Sequence, residues 1–166
     1  MTVLTILTAP NDKLTQQAKP VENVSDVQGL IDDLLETMYD TDDGIGLAAT
    51  QVGSSAAVIV IDISENRDQP LVLINPKITK GEEKAKGQEG CLSVPGYYAD
   101  VERYSKVTVE ALDRQGEHIT IESDDFLAIV MQHEIDHLKG TLFIDYLSSL
   151  KQKMALKKVK KIIKNG

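Results

Sequence analysis

Two of the chain's three histidines stand four residues apart with a glutamate beside the first, in Gln132-His133-Glu134-Ile135-Asp136-His137. On an α-helix, positions four apart share one face, so both imidazoles can reach a single metal ion. Glu134 falls next to them, where a carboxylate can take a proton from water held by that ion. The run Phe126-Leu127-Ala128-Ile129-Val130-Met131 leading in is apolar without a break, which predicts a buried helix. Two imidazoles and a carboxylate are costly to bury unless something satisfies them, and a metal ion does so better than mutual hydrogen bonds between core histidines.

A catalytic site of this type takes a third protein ligand and keeps one position open. A downstream His-x-x-Gly-x-x-His continuation would need histidine at position 143, where the chain has Phe143, and no glutamate follows Glu134. Asp145 is a weak downstream candidate. Upstream stand His118, in a hairpin, and Cys91, the only cysteine, preceded by Gly90. Cys91 is the stronger of the two, because a thiolate binds such metals well and the glycine lets backbone approach closely.

The elements that must position these groups read as follows. Thr2 to Thr8 alternates as a short strand or extended arm, and Asp12 to Ala18 is a short helix capped by Asn11. Ser25 begins a longer helix to about Tyr39, with Val27, Leu30, Ile31, Leu34, Leu35 and Met38 as its buried stripe. Gly44 to Gly53 is rich in small residues and fits either a close-packed turn or a loop lining a cleft. Ala56–Ile61 and Leu71–Ile74 predict one hairpin, and the apolar positions of 101–112 and 119–121 predict another around Asp113-Arg114-Gln115-Gly116. Lys77 to Gly87 is polar, charged and exposed. Ser123 or Asp124 caps the motif helix and Gly140 ends it; Leu142 to Leu147 is extended, and Ser148 or Ser149 caps a last, basic helix. This pattern is α+β with antiparallel sheet, in one domain over 1–166 with residues 148–164 as a C-terminal helical extension.

Composition narrows the function classes. With 42% hydrophobic and 27% charged residues the chain is an ordinary globular sequence, and no apolar run approaches the ~20 residues that span a bilayer. A single cysteine offers no disulfide framework, and the N-terminus lacks the pattern of a signal peptide, so a cytoplasmic protein is expected. A net charge of −8 argues against DNA binding and no membrane partner is expected. Seven lysines and no acid lie in residues 151–166, leaving 11 basic against 26 acidic side chains in residues 1–150.

Three segments, Gly44-Ile45-Gly46-Leu47-Ala48-Ala49-Thr50-Gln51, Glu89-Gly90-Cys91-Leu92-Ser93 and Gln132 to His137, together resemble the three motifs of the peptide deformylases, in order and at plausible separations. The resemblance extends over nearly the whole chain, including Glu65-Asn66-Arg67 and Leu142 to Ser148. It implies antiparallel sheets packed around the central His-Glu-x-x-His helix. It implies Cys91, His133 and His137 as metal ligands, Glu134 as general base, and Gln51 with the backbone N–H of Leu92 as oxyanion donors. The reaction implied is hydrolysis of the formyl group from N-terminal formyl-methionine. The resemblance also implies that Glu89 and Arg103 pair and brace the cysteine segment.

Ile45, Ile129 and Val130 can make an apolar pocket for the methionine side chain, and the backbone of Gly44–Gly46 and Glu89–Gly90 can pair with the peptide as an added strand. Position 98 is Tyr98, where some family members carry arginine. Donor softness alone favours Zn2+, whereas the resemblance implies Fe2+ in the cell, replaceable by Ni2+, Co2+ or Zn2+. Two other functions fit the same helix: a metallopeptidase, and a structural metal module with a fourth protein ligand. The basic tail is expected to line one face with Met154, Ala155, Val159, Ile162 and Ile163. Its charge suits a polyanion, and for this family the ribosome, through 148–164, is the partner it suggests.

Overall fold

The structure is a computed structural model that describes residues 2–165. Helix α1 spans Gln28–Asp40 and buries Ile31, Leu34 and Met38 at helical spacing. It begins later than the sequence suggests. A 3-10 turn at Val24–Val27 precedes it, capped by Asn23, whose side chain takes the Ser25 N–H at 3.1 Å. Asn23 thereby occupies the capping role expected of Ser25.

Five antiparallel strands follow one another in a single hydrogen-bonded sheet: β1 Gly46–Ala48, β2 Val58–Ile61, β3 Leu71–Cys91, β4 Val94–Leu112 and β5 His118–Ser123. Alternation along β2 sends Ile59 and Ile61 to one face and Val58 and Val60 to the other, and all four are buried. On one face α1 packs against Val58, Val60 and Ile74. On the other, helix α2, Phe126–Leu138, packs through Ala128, Met131, Ile135 and Leu138. The sheet centre is therefore covered on both sides, which explains why β2 reads as an unbroken apolar run.

The polar stretch Lys77–Gly87 is exposed over most of its length but is not loop. It lies within β3, paired residue by residue with β4 as far as Cys91 opposite Val94. Backbone pairing with β4 holds this ribbon where apolar burial does not. Irregularities in the pairing fall at Ile74/Lys77, Ile78/Lys80 and Glu89/Cys91, the last beside the cysteine.

Helix α2 is capped by Asp125, which accepts from Leu127 N and is itself held by the Ser123 hydroxyl at 2.6 Å; Asp124 does not cap it. At its end Gly140 adopts φ +78°, and a Cβ there would lie 2.3 Å from Thr15 O, so only glycine fits this cap. Leu142–Leu147 is not extended: Phe143–Tyr146 form a 3-10 turn because Asp145 accepts from Leu142 N at 2.9 Å. Asp12–Thr15 is likewise one 3-10 turn, and the residues before it form an arm, not a strand. That arm donates from Leu7 N to Gln51 O and from Ala9 N to Ser93 O, tying together two segments that matter below.

Helix α3, Ser149–Asn165, packs Ala155 and Val159 into a cluster with Phe143, Val94 and Val101. Leu156 and Ile162 are half-buried, whereas Met154 and Ile163 stand exposed. Positions 155, 159 and 162 share one helical face and 154 falls off it, whereas 163 lies in line with half-buried 156 and is exposed near the helix end. Among the described residues no helix is long and apolar enough to cross a membrane.

Candidate metal centre and active site

Helix α2 carries His133 and His137 on one face, and the end of β3 brings Cys91 to meet them. His137 Nε2 lies 3.2 Å from His133 Nε2 and 3.3 Å from Cys91 Sγ. All three donor atoms lie within 4.8 Å of one another. Tetrahedral sites with metal–nitrogen bonds of ~2.0–2.1 Å and metal–sulfur bonds of ~2.3 Å have donor separations of about 3.3–3.6 Å. Two buried imidazole nitrogens aimed at each other at this spacing fit a shared cation, and this residue set could hold one. His118 is exposed at the start of β5, 3.7 Å from Glu110, and Asp145 serves as the cap of its own turn; neither approaches the cluster.

His133 and Cys91 are each oriented by neighbours, whereas His137 Nδ1 is buried with no hydrogen-bond partner among the described residues. Glu89 Oε1 sits 2.9 Å from His133 Nδ1, which leaves Nε2 facing the cluster. The same carboxylate receives Arg103 through Nε at 2.8 Å and Nη2 at 2.9 Å. Arg103 also reaches Asp136, which accepts from the Tyr146 hydroxyl at 2.7 Å, and it lies beneath the Tyr146 ring. Burial would raise the Glu89 carboxyl, but its bonds to Arg103 and His133 outweigh this and hold it below the usual range. Burial pulls His133 down, yet hydrogen bonds to Cys91 and Glu89 carry it well above an ordinary histidine. His137, fully buried and beside His133, is held well below the ordinary value. Two N–H groups, from Ser93 at 3.4 Å and from the Gln51 amide at 3.6 Å, point at the Cys91 sulfur and fix its position.

Glu134 is 5% exposed, and its Oε1 has no hydrogen-bond partner among the described residues. Burial pushes its carboxyl up to about 7; the His133 charge opposes the shift and Glu89 adds to it. Gly46 gives this side chain its place. A Cβ on Gly46 would lie 2.6 Å from Glu134 Oε2 and 3.0 Å from Cδ. The backbone of β1 thus forms the wall against which the carboxylate rests.

Gln51 sits in the 3-10 turn Ala49–Val52 after β1. Its Oε1 accepts from Ala48 N at 2.9 Å, which turns the NH2 group toward Ser93 Oγ at 3.0 Å and the Cys91 sulfur. Leu92 and Ser93 form the two-residue turn from β3 to β4. The Gln51 turn is anchored to α2 by Thr50, whose hydroxyl donates to His137 O at 3.0 Å.

A cleft of about 410 Å3 opens over this cluster. Ile45, Gly46, Gly90, Ile129 and Val130 line it, together with Gln51, Leu92 and Glu134. Glu89 also lines it, with its carboxylate committed to Arg103 and His133. Tyr98, 60% exposed, stands at the rim and packs its ring over Gly90. Phe126 lines the cleft at 57% exposure, contrary to the expectation of an evenly buried apolar helix. The unbroken apolar run was the available signal: α2 has one apolar face for the sheet and a second for the cleft.

The sequence matches the family described as polypeptide deformylase over residues 3–153. It is 69% identical over 165 residues to peptide deformylase 2 of Vibrio cholerae serotype O1, covering 99% of this chain and 98% of that protein. The fold is similar to a peptide deformylase from Legionella pneumophila, with TM-score 0.94 and 45% identity, covering 98% of this chain and 96% of that one. It is also similar to the peptide deformylase of Ehrlichia chaffeensis in complex with actinonin, with TM-score 0.92 and 42% identity, covering 97% and 98% of the two chains.

Proposed function

The chain belongs to the polypeptide deformylase family, and from that premise we propose how its site works. It is a metallohydrolase that removes the formyl group from the N-terminal formyl-methionine of new proteins, releasing formate. The convergence of Cys91, His133 and His137 next to an unpartnered Glu134 carries this reading. Those three residues would hold a divalent ion, which would supply Lewis acidity that eases deprotonation of water near neutral pH.

The remaining chemistry falls to the chain's own groups. Glu134 takes the proton from water as the oxygen attacks the formyl carbon. It then hands that proton to the amine nitrogen as the C–N bond breaks, and formate leaves. The Glu134 carboxylate, with Oε1 free of any partner among the described residues, is available for both transfers. The Gln51 amide and the Leu92 N–H donate to the oxygen on which negative charge builds, a contribution of roughly 3–4 kcal/mol per donor in such sites. Ile45, Ile129 and Val130 receive the methionine side chain, while the backbone of 44–46 and 89–90 pairs with the peptide.

A thiolate with two imidazoles accepts Fe2+, Zn2+, Ni2+ or Co2+, and we assign Fe2+ in the cell on the family resemblance. Metal analysis of protein purified without oxygen tests that assignment. We read the chain as one cytoplasmic domain extended by α3. All seven lysines of residues 151–164 are exposed while Ala155 and Val159 are buried, which supports a solvent-facing basic surface suited to ribosomal RNA. Replacing Lys153, Lys157, Lys160 and Lys161 by glutamine should abolish salt-sensitive co-sedimentation with ribosomes; undiminished co-sedimentation refutes that partner.

The activity itself is tested on paired formylated and unformylated methionyl peptides. The expected products are formate and an intact peptide. Cleavage of a peptide bond in the unformylated substrate would instead make the protein a metallopeptidase.

A further inference from the structure

The structure assigns to Arg67 the task of holding the substrate-facing loop Gly44–Gly46 in position. Arg67 lies between β2 and β3, remote in sequence from the metal cluster. Its Nη1 donates to Thr41 O at 3.0 Å, and its Nη2 to Met38 O at 3.1 Å and Gly44 O at 3.3 Å. These are carbonyls of the last turn of α1 and of the segment that enters the cleft.

The local chemistry explains why an arginine is needed. The last carbonyls of a helix lack intrahelical partners and carry the negative end of its dipole. Helix α1 has no basic residue in its last turn, and Asp40, Asp42 and Asp43 crowd the same end. Arg67 supplies from across the fold the cation that α1 lacks, and its planar fork spans three acceptors as a lysine ammonium cannot. The guanidinium lies over the Tyr39 ring, 5.4 Å from its centre. The Tyr39 hydroxyl donates to Asp62 at 2.5 Å, and Asp62 N donates to Ile45 O at 2.8 Å. The loop is thus gripped at Gly44 by Arg67 and at Ile45 by Asp62, with Tyr39 joining the two grips. Arg67 itself adopts φ +55°, a conformation that non-glycine residues seldom take, so the guanidinium is placed at a backbone cost.

Arg67 is a positioning residue. The inference rests on the reading that the 44–46 backbone pairs with the peptide, and the test separates the two. Steady-state kinetics are measured with formyl-methionine amide and with a formyl-methionyl tripeptide, on the metal-loaded wild type, Arg67→Gly and Arg67→Lys. Glycine tolerates the backbone angle, so Arg67→Gly removes the side chain without adding strain. Loss of a charge-assisted hydrogen bond corresponds to about tenfold or more. The KM of Arg67→Gly for the tripeptide should rise by about tenfold, with kcat within about threefold of wild type and a much smaller change for the amide. Arg67→Lys should fall between. A purely structural role would lower the melting temperature without this dependence on substrate length. If Arg67→Gly does not fold, Arg67→Lys is read alone, and an unchanged tripeptide KM in either folded variant overturns the assignment. A wild type that gains nothing from extending the amide to the tripeptide overturns instead the strand-pairing reading.

Discussion

Replacing Gly46 by alanine isolates the general base from the metal. The added Cβ would lie 2.6 Å from Glu134 Oε2, 3.0 Å from Cδ and 3.1 Å from Cγ, whereas ordinary contact begins at 3.4 Å. Gly46 is in β1, paired opposite Ile61 and next to Ile45, whose carbonyl accepts from Asp62 N at 2.8 Å, so its backbone has little room to retreat. The carboxylate must move by roughly 0.8 Å in a site 5% exposed. Misplacement of a reacting group by ~1 Å costs on the order of a hundredfold in rate, equivalent to about 2.7 kcal/mol in the barrier. Gly46→Ala should therefore lose about two orders of magnitude in kcat, with one metal ion per chain retained, because no ligand atom is touched. Formate release gives the rate and elemental analysis gives the metal. The decisive comparison adds Gly46→Ala to Glu134→Ala. If the glycine acts through the carboxylate, the double variant is no slower than Glu134→Ala alone. A Gly46→Ala enzyme within threefold of wild type, or one that loses its metal, would refute the reasoning.

Two other consequences follow from the buried charges. Glu89 and Arg103 are 7% and 5% exposed and joined by two hydrogen bonds, so removing either partner alone should destabilise the fold by about 3–5 kcal/mol. In a urea-unfolding double-mutant cycle the combined Glu89→Gln, Arg103→Met variant should cost less than the sum of the single changes, and simple additivity would dissolve the proposed brace. The second concerns Glu134, raised from 4.5 to about 7 by burial. A carboxyl raised on folding contributes stability that is present below the unfolded value and lost as pH rises through the folded one. Chelator-treated protein should therefore lose on the order of 2 kcal/mol between pH 4.5 and 7 through this group, and Glu134→Gln should flatten that part of the profile. An identical slope in both proteins would show that Glu134 does not titrate in this range.

Much of this arrangement is legible in local sequence, because helices and hairpins write their periods into it. The spacing of His133 and His137 puts both imidazoles on one face of α2, and the apolar runs outline β2, the start of β3, β4 and β5. Cys91 is harder to single out, since His118 and Asp145 are also metal-donor types. Its sulfur and Gly90 favour it, the resemblance of its neighbours selects it, and the fold brings its sulfur to His137. What stayed hidden depends on pairing across long separations. Lys77–Gly87 carries no strand period because β4, not a core, holds it. The closeness of Gly46 to Glu134 and of Arg67 to Gly44 joins residues many positions apart, and no local pattern encodes either. Phe126 misled because an unbroken apolar run reads as buried on every side, although α2 faces both a sheet and a cleft.

The central claim is that Glu134 performs the proton transfers while Cys91, His133 and His137 alone hold the metal. Glu134→Ala, purified without oxygen, tests it in one measurement of metal content and formate release on the same sample. The account predicts one metal ion per chain and a rate reduced by about 10²–10⁴. Loss of the metal, or formate release at the wild-type rate, would contradict it.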